Sequence, residues 1–370
     1  MPPMPLLLGF ALVIILAVVP PLIGGYLVRG LTSYLIFGLL ALAVGLITGY
    51  GRLFNLGVGA NFGVSAYTVA ILTHHGVQNP LALVAAALLA GFLVSLLFSF
   101  YALVASGVEY LMLTFLSTAA FAAVPLTALD LTGGDNGLNV LGGLQPSFGL
   151  NPLVGNNFYW FVLGVVAALA ALSWYVLASQ TGKAIQAIGR NPGRAAAMGY
   201  SVPRYRIALT IYASLIASFG GWLYALQTNF VFIDLLGVAN STNGLVYALV
   251  GGVDTILGPL LGAAMLRALT DQLSRAGTQS SLFIGIVLML VVYLIPEGVL
   301  GLRHRLVKRR VAARGEEVAE APEAVAAGGV AVGLEHAETS HAAAMTIATG
   351  RCGIRREVIR VGLPILIRPG

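Results

Sequence analysis

Long apolar runs alternate with short glycine- and proline-containing interruptions along most of the chain. A membrane-spanning helix needs about 20 mostly apolar residues. Runs of that kind cover 5–28, 31–49, 57–74, 80–104, 109–129, 158–178, 207–226, 256–271 and 280–296. Segment 236–253 is shorter and glycine-rich, so hydropathy alone leaves it undecided. Charge decides it. The loop 179–206 carries Lys183, Arg190, Arg194, Arg204 and Arg206 without an acid, and Arg303, Arg305, Lys308, Arg309 and Arg310 follow the last run. Excess Lys and Arg mark cytoplasmic segments. An even number of crossings must separate two segments on the same side, so 236–253 supplies a fourth crossing between them. The expected fold is an all-α, polytopic transmembrane helical bundle of ten crossings, with discontinuous Gly-rich helices and both termini in the cytoplasm. Arg29 falls outside in this scheme.

Composition agrees with a bilayer environment. Charged residues are 9% of 370 and hydrophobic ones 58%, where a soluble domain carries about 25% charge. Residues 1–302 hold nine Lys/Arg and seven Asp/Glu, too few to cover a water-soluble globule of that size. The net charge of +6 gathers at 183–206 and 303–314, beside apolar segments, and so reports topology rather than nucleic-acid binding. The single cysteine, Cys352, excludes an intrachain disulfide and a thiolate metal site. The N-terminal run has no basic n-region and no small-x-small cleavage site after it, so it reads as a retained transmembrane helix rather than a signal peptide. Residues 1–302 form the transmembrane domain, with 179–206 as its cytoplasmic loop. Residues 303–370 form a basic stop segment and a tail whose stretch 311–350, with 13 alanines and six glutamates, reads as solvated and disordered.

Two interruptions stand out. Gly49-Tyr50-Gly51-Arg52-Leu53-Phe54-Asn55-Leu56-Gly57-Val58-Gly59 separates two apolar runs, and Gly251-Gly252-Val253-Asp254-Thr255-Ile256-Leu257-Gly258-Pro259 separates two more. Irregular backbone at membrane depth is tolerated only where protein buries it or water reaches it. Paired Gly/Pro interruptions in two halves point to a transport pathway. The same small residues, as at Gly59/Gly63 and Gly258/Gly262, serve close helix packing equally well.

No enzyme constellation is present. Gly182-Lys183 is followed by alanine and lacks the upstream glycine of a phosphate loop, and there is no HExxH and no GxSxG. His74 and His75 are adjacent, so on a helix they point about 100° apart. The expected chain has no catalytic residue, no metal site and no cofactor of its own. Intramembrane ionisable residues are few: Arg267, Asp254, and Glu109 and Asp271 at helix ends. A stand-alone secondary transporter would usually carry more of them for coupling.

The loop from Ser179 to Tyr200 predicts two short helices. The first covers 182–189. Asn191 caps the second, Pro192 takes its first position, Ala195, Ala196 and Met198 form an apolar face, and Gly199 ends it. Such a helix either docks into a groove on a partner or lies on anionic lipid through its arginines.

This loop resembles the coupling loop of LivM-type inner-membrane permeases of branched-chain amino-acid ABC transporters. Further patches match in order: Asn55-Leu56-Gly57 with Phe62-Gly63-Val64-Ser65-Ala66-Tyr67, then Thr132-Gly133-Gly134-Asp135-Asn136-Gly137-Leu138. Phe219-Gly220-Gly221-Trp222, Gly251 to Ala263, and Ile295-Pro296-Glu297-Gly298 complete the series, over residues 30–302. Three departures are Val58 where the family often has His or Gln, Asp254 in place of a glycine, and Gly189-Arg190 in place of an Arg-Glu pair. The resemblance implies an ABC importer permease in the inner membrane, for branched-chain or similar small amino acids, with urea or short amides as the alternative. It implies a second permease subunit, two cytoplasmic ATPase subunits that hold the ATP and magnesium, and an extracytoplasmic substrate-binding protein. It implies that Gly182, Ala187, Ile188, Arg190, Asn191, Pro192, Arg194, Ala196, Met198 and Gly199 couple to the ATPase. Asn55, Gly57, Gly59, Gly63, Tyr67, Gly251, Gly252, Asp254, Gly258 and Pro259 would line the translocation path. Asp254 then stands at the cytoplasmic mouth or acts as a functional group.

Overall fold

The apolar runs fold as helices whose ends fall at the glycines, prolines and capping residues between them. The structure, a computed structural model, describes residues 25–77, 79–140 and 156–276, all within the unit Met1–Arg305. In chain order the helices are α1 (Gly25–Gly45), which continues into a π-helical turn (Leu46–Tyr50), α2 (Val58–His74), α3 (Pro80–Val104), α4 (Val108–Thr127) and the short α5 (Leu129–Thr132). They continue as α6 (Asn157–Ala178), α7 (Gln180–Arg190), α8 (Pro192–Ala197), α9 (Val202–Thr228), α10 (Val238–Gly251) and α11 (Leu257–Ala276). Local chemistry sets the starts. Asn79 accepts a hydrogen bond from the Leu81 amide at 3.1 Å with Pro80 at the first helical position.

The sequence expectation is met in part. Among the described residues five helical stretches are long and apolar enough to cross a bilayer: Leu27–Tyr50, Pro80–Val104, Val108–Thr127, Asn157–Ala178 and Val202–Thr228. The predicted span 280–296 and most of 5–28 lie outside the described residues. The predicted separation of 5–28 from 31–49 is corrected, because α1 runs unbroken through Arg29 and Gly30. Segment 236–253 is helical, but α10 has 14 residues, about 21 Å of rise against a hydrocarbon core of about 30 Å. It is therefore a partial span. α11 is long enough but carries Arg267, Asp271 and Arg275, and α2 stops at 17 residues.

A two-residue strand pair, missed from the sequence, links distant loops. β1 (Leu138–Asn139) runs antiparallel to β2 (Phe230–Val231), with Leu138 opposite Val231. The turn leading into β1 passes through Gly133, Gly134 and Gly137 at positive φ, where a side chain would be strained. Beyond β2, Leu235 and Leu236 are buried against α2.

Burial divides the bundle into an inner and an outer set. α9 packs on α1, α2 and α3, and α11 packs on α1 and α10. Most of α1 and α9 is buried, whereas α3, α4 and α6 are largely exposed. Their exposed residues are apolar: Leu89, Leu93, Leu96 and Phe100 on α3, Met112, Phe115 and Leu116 on α4. A band of that size is a liability in water and neutral against lipid tails. The inner helices approach through small residues. A Cβ at Gly59 would collide with Ser241 of α10, and one at Gly63 would lie 2.8 Å from the Leu235 carbonyl carbon.

Gly59→Leu should therefore separate α2 from α10, at a cost of about 1–3 kcal/mol for an overpacked site. Gly164→Leu, on α6 with open space beside it, should be neutral. Thermal unfolding of the detergent-solubilised protein checks both. Equal melting temperatures would count against close packing at Gly59.

Candidate functional site

The turn from α6 into α7 is tight because position 182 has no side chain. A Cβ at Gly182 would run into the Leu177 backbone and the Val176 carbonyl, and the Ser179 hydroxyl caps α7 by accepting from the Gly182 amide at 3.3 Å. Gly182, Ala184, Ile185 and Ile188 face inward, while Gln180, Thr181, Lys183 and Arg190 face out. The 3.6-residue period thus gives α7 one face for the bundle and one for the outside. It begins two residues before the predicted 182–189 and ends one after.

Asn191 caps α8 as predicted, accepting from the Arg194 amide at 3.0 Å, with Pro192 first in the helix. Gly199 sits at φ +87°, and the amides of Gly199 and Tyr200 donate to the carbonyls of Ala196 and Ala195. That is a Schellman-type stop which a left-handed glycine permits. The expected apolar face is corrected in one respect. Ala195 points inward and is buried, while Ala196, Ala197 and Met198 point out, Met198 being 67% exposed.

α7 rests on the first glycine break. A Cβ at Gly189 would strike the Tyr50 carbonyl and crowd Arg52 and Gly51 at 3.3 Å. Here the chain leaves the π-helical turn: the Gly51 amide donates to Leu46, Leu53 donates to Ile47, and Arg52 takes φ +53°. The second break meets the first. Position 49 abuts the Val253 carbonyl, the Tyr50 hydroxyl donates to the Asp254 carbonyl at 3.2 Å, and Arg52 Nη2 pairs with Asp254 Oδ1 at 2.9 Å. Asp254 is thus paired and, at 68% exposure, on the surface of the bundle; the pairing relieves the cost of its charge. Arg52 was not singled out from the sequence. The available signal was a cation in one break and an anion in the other.

The remaining predicted path residues separate into two groups. Gly251, Gly252, Gly258 and Pro259 build the α10–α11 corner: Gly251 abuts the Gly258 carbonyl, Gly252 takes φ +105°, and the Pro259 ring lies 2.6 Å from where a Cβ on Gly45 would be. Thr255 caps α11 by accepting from the Gly258 amide at 3.0 Å. Asn55, Gly57, Gly59, Gly63 and Tyr67 lie along α2 and its approach. Asn55 donates to the Tyr110 hydroxyl at 2.8 Å and accepts from the Gly57 amide at 2.6 Å. α4 anchors the same stretch, since Leu56 donates to Thr114 and accepts from Thr118. Gly57 faces the Phe98 ring, and Tyr67 is buried with a hydroxyl that has no partner among the described residues.

Among the described residues no three His, Cys, Asp or Glu side chains converge on a metal position. His74 and His75 stand exposed at the end of α2 with ring centroids 6.2 Å apart.

Comparison with known proteins gives this geometry a family. The family described as "Branched-chain amino acid transport system / permease component" matches residues 26–292. The chain is 27% identical over 317 residues to the Escherichia coli (strain K12) high-affinity branched-chain amino acid transport system permease protein LivM, covering 77% of this chain and 73% of that protein. It is equally similar to the Salmonella typhimurium LivM, at 27% over 318 residues, with the same coverage. The fructose import permease protein FrcC of Rhizobium meliloti is 28% identical over 155 residues, covering 39% of this chain and 43% of that protein. No solved structure matches. With the family match spanning well over half of its length and apolar helices to carry it, the chain belongs to the family of permease components of branched-chain amino acid transport systems and is a multi-pass membrane protein of the ABC importer class.

Proposed function

We propose that this chain forms half of the translocation path of an ABC importer for branched-chain amino acids, driven by ATP hydrolysis in partner subunits. The observation that carries the mechanism is the seat of α7 on the first glycine break, next to the Arg52–Asp254 pair. The exposed side of α7 and α8, with Arg190, Arg194, Ala196 and Met198 outward, is the surface for a groove on a cytoplasmic ATPase. When the two ATPases close, the docked helices move. Gly189 then drives against Tyr50 and Arg52, and the contact between the two breaks opens or closes the cytoplasmic mouth. ATP and magnesium stay in the ATPases.

The other partners follow from that assembly: a second, similar permease subunit, an extracytoplasmic substrate-binding protein and the surrounding inner membrane, with both termini cytoplasmic. Asn55, Gly57, Gly59, Gly63, Tyr67 and the corner from Gly251 to Pro259 line or flank the path. A strongly selective binding protein lets that path be mostly apolar, which suits aliphatic side chains. The similarity to LivM supports the amino-acid substrate over urea or short amides.

The reading is tested by purifying the tagged chain from its own membrane and reconstituting what comes with it. Recovery of an ATPase and a second polytopic subunit, with ATP-dependent leucine uptake, is the expected result. A chain that purifies alone and transports without ATP would be a secondary transporter.

Three variants probe the parts. Met198→Glu puts a charge on the docking face and should lower uptake at least about tenfold, equivalent to about 1.4 kcal/mol, while membrane insertion stays normal. Undiminished uptake would remove the docking role. Arg52→Asp opposes Asp254 across the mouth. Because an exposed pair contributes about 0–1 kcal/mol, the melting temperature should barely change while ATP hydrolysis without substrate rises; combining it with Asp254→Arg should restore coupling. Truncation after Arg310 should leave assembly intact, as co-purification of the ATPase would register.

A further inference from the structure

The coupling machinery leaves two intramembrane charges without a role. Arg267 lies ten residues into α11, about 15 Å from its start and so near mid-bilayer depth. Asp271 follows one turn later, on the same face. Both are half-buried. Charges at this depth are costly and are retained for a purpose.

Neither charge answers the other. Among the described residues Arg52–Asp254 is the only ion pair, so no described carboxylate lies within 4.0 Å of the Arg267 guanidinium. Its Cζ instead stacks 3.6 Å from the centroid of Phe37, and its buried Nε has no hydrogen-bond partner among the described residues. Asp271 accepts from the Tyr34 hydroxyl at 2.7 Å, a neutral partner. Phe37 leads into a ring cluster, with Phe62 and Tyr224 each at a centroid distance of 5.7 Å. The result is a guanidinium and a carboxylate about 5–6 Å apart at their Cβ atoms, beside a buried ring cluster. Ser33 and Gln227 sit near the same level of α1 and α9, joined at 3.4 Å.

The geometry points to a binding site for a zwitterionic α-amino acid in transit, its carboxylate on Arg267 and its ammonium on Asp271, with the buried Phe37 ring backing the guanidinium. A zwitterion compensates both charges at once and adds no net charge to the membrane interior. A neutral sugar or urea would leave each ion without a counter-charge. A half-buried planar guanidinium suits a carboxylate in two-point contact. The inference rests on the amino-acid reading of the transported substrate.

The test uses the complete transporter in proteoliposomes, with ATP on the ATPase side, and follows radiolabelled leucine. Asp271→Asn keeps an acceptor for Tyr34 but removes the charge, and Arg267→Gln removes the other. Each should lower leucine uptake about ten- to a hundred-fold, as expected for losing a hydrogen bond to an ion, while the complex still assembles and still hydrolyses ATP. Leucine uptake by the unaltered transporter that both variants retain overturns the site alone. Loss of assembly in Asp271→Asn marks the Tyr34–Asp271 contact as structural and also overturns it. Should Arg267→Gln fail to assemble, Asp271→Asn decides. An unaltered transporter that moves fructose or urea but not leucine overturns the substrate reading instead.

Discussion

The rest of the bundle depends on the close backbone approach of its two glycine breaks, which are set against each other and joined by the hydrogen bond from Tyr50 to the Asp254 carbonyl. The chain between α1 and α2 leaves helical geometry over Gly51–Gly57, and the chain between α10 and α11 does so over Gly252–Ile256. Gly49 lies under the Val253 carbonyl, Gly251 against Gly258, Gly262 under the Tyr247 carbonyl, and Gly45 beside Pro259. None of these approaches admits a Cβ. α1, α10 and α11 are held in register by absent side chains, and α9 can then fill the space that α1, α2 and α3 leave. The seat of α7 on Tyr50–Arg52 depends on the same arrangement, because the irregular backbone there is what Gly189 rests on.

What could be read from the chain was local. Asn191-Pro192 and Gly199 announce a cap and a stop within a few residues of each other, and α8 starts and ends at them. The two glycine-rich interruptions were visible for the same reason. The Arg29-Gly30 boundary misled because glycine looks like a breaker on paper. In a membrane a helix through glycine keeps its hydrogen bonds, and breaking it would expose groups with no alternative partner. The Leu138–Val231 register could not be foreseen, since a pair of two-residue strands carries no periodicity. Nor could Arg52–Asp254, 202 positions apart. Each residue alone reads as an ordinary loop charge.

The length of α10 shows where counting crossings reaches its limit. The parity argument required a helix at 236–253, and a helix is there, yet 14 residues do not span the core. β2 and a 3-10 turn over Ile233–Leu235 lead into that helix, with Leu235 and Leu236 buried. Hydropathy sees residues, and the bundle sees depth.

The distribution of charge follows from how strongly each pair must hold. Arg52–Asp254 is exposed at 53% and 68%, where screening by water keeps the attraction to about 1 kcal/mol or less. In the mechanism proposed above this contact is made and broken in every cycle, and such a contact is best kept that weak. Deeper in the bundle the same attraction would be stronger and slower to release. Arg267 and Asp271 avoid that trap by facing an aromatic ring and a phenol rather than each other. Two opposite charges one turn apart could have closed on themselves and fallen silent. Held apart, each keeps its charge available for the zwitterionic ligand proposed above, while the weak, exposed pair serves the gate proposed for the two breaks.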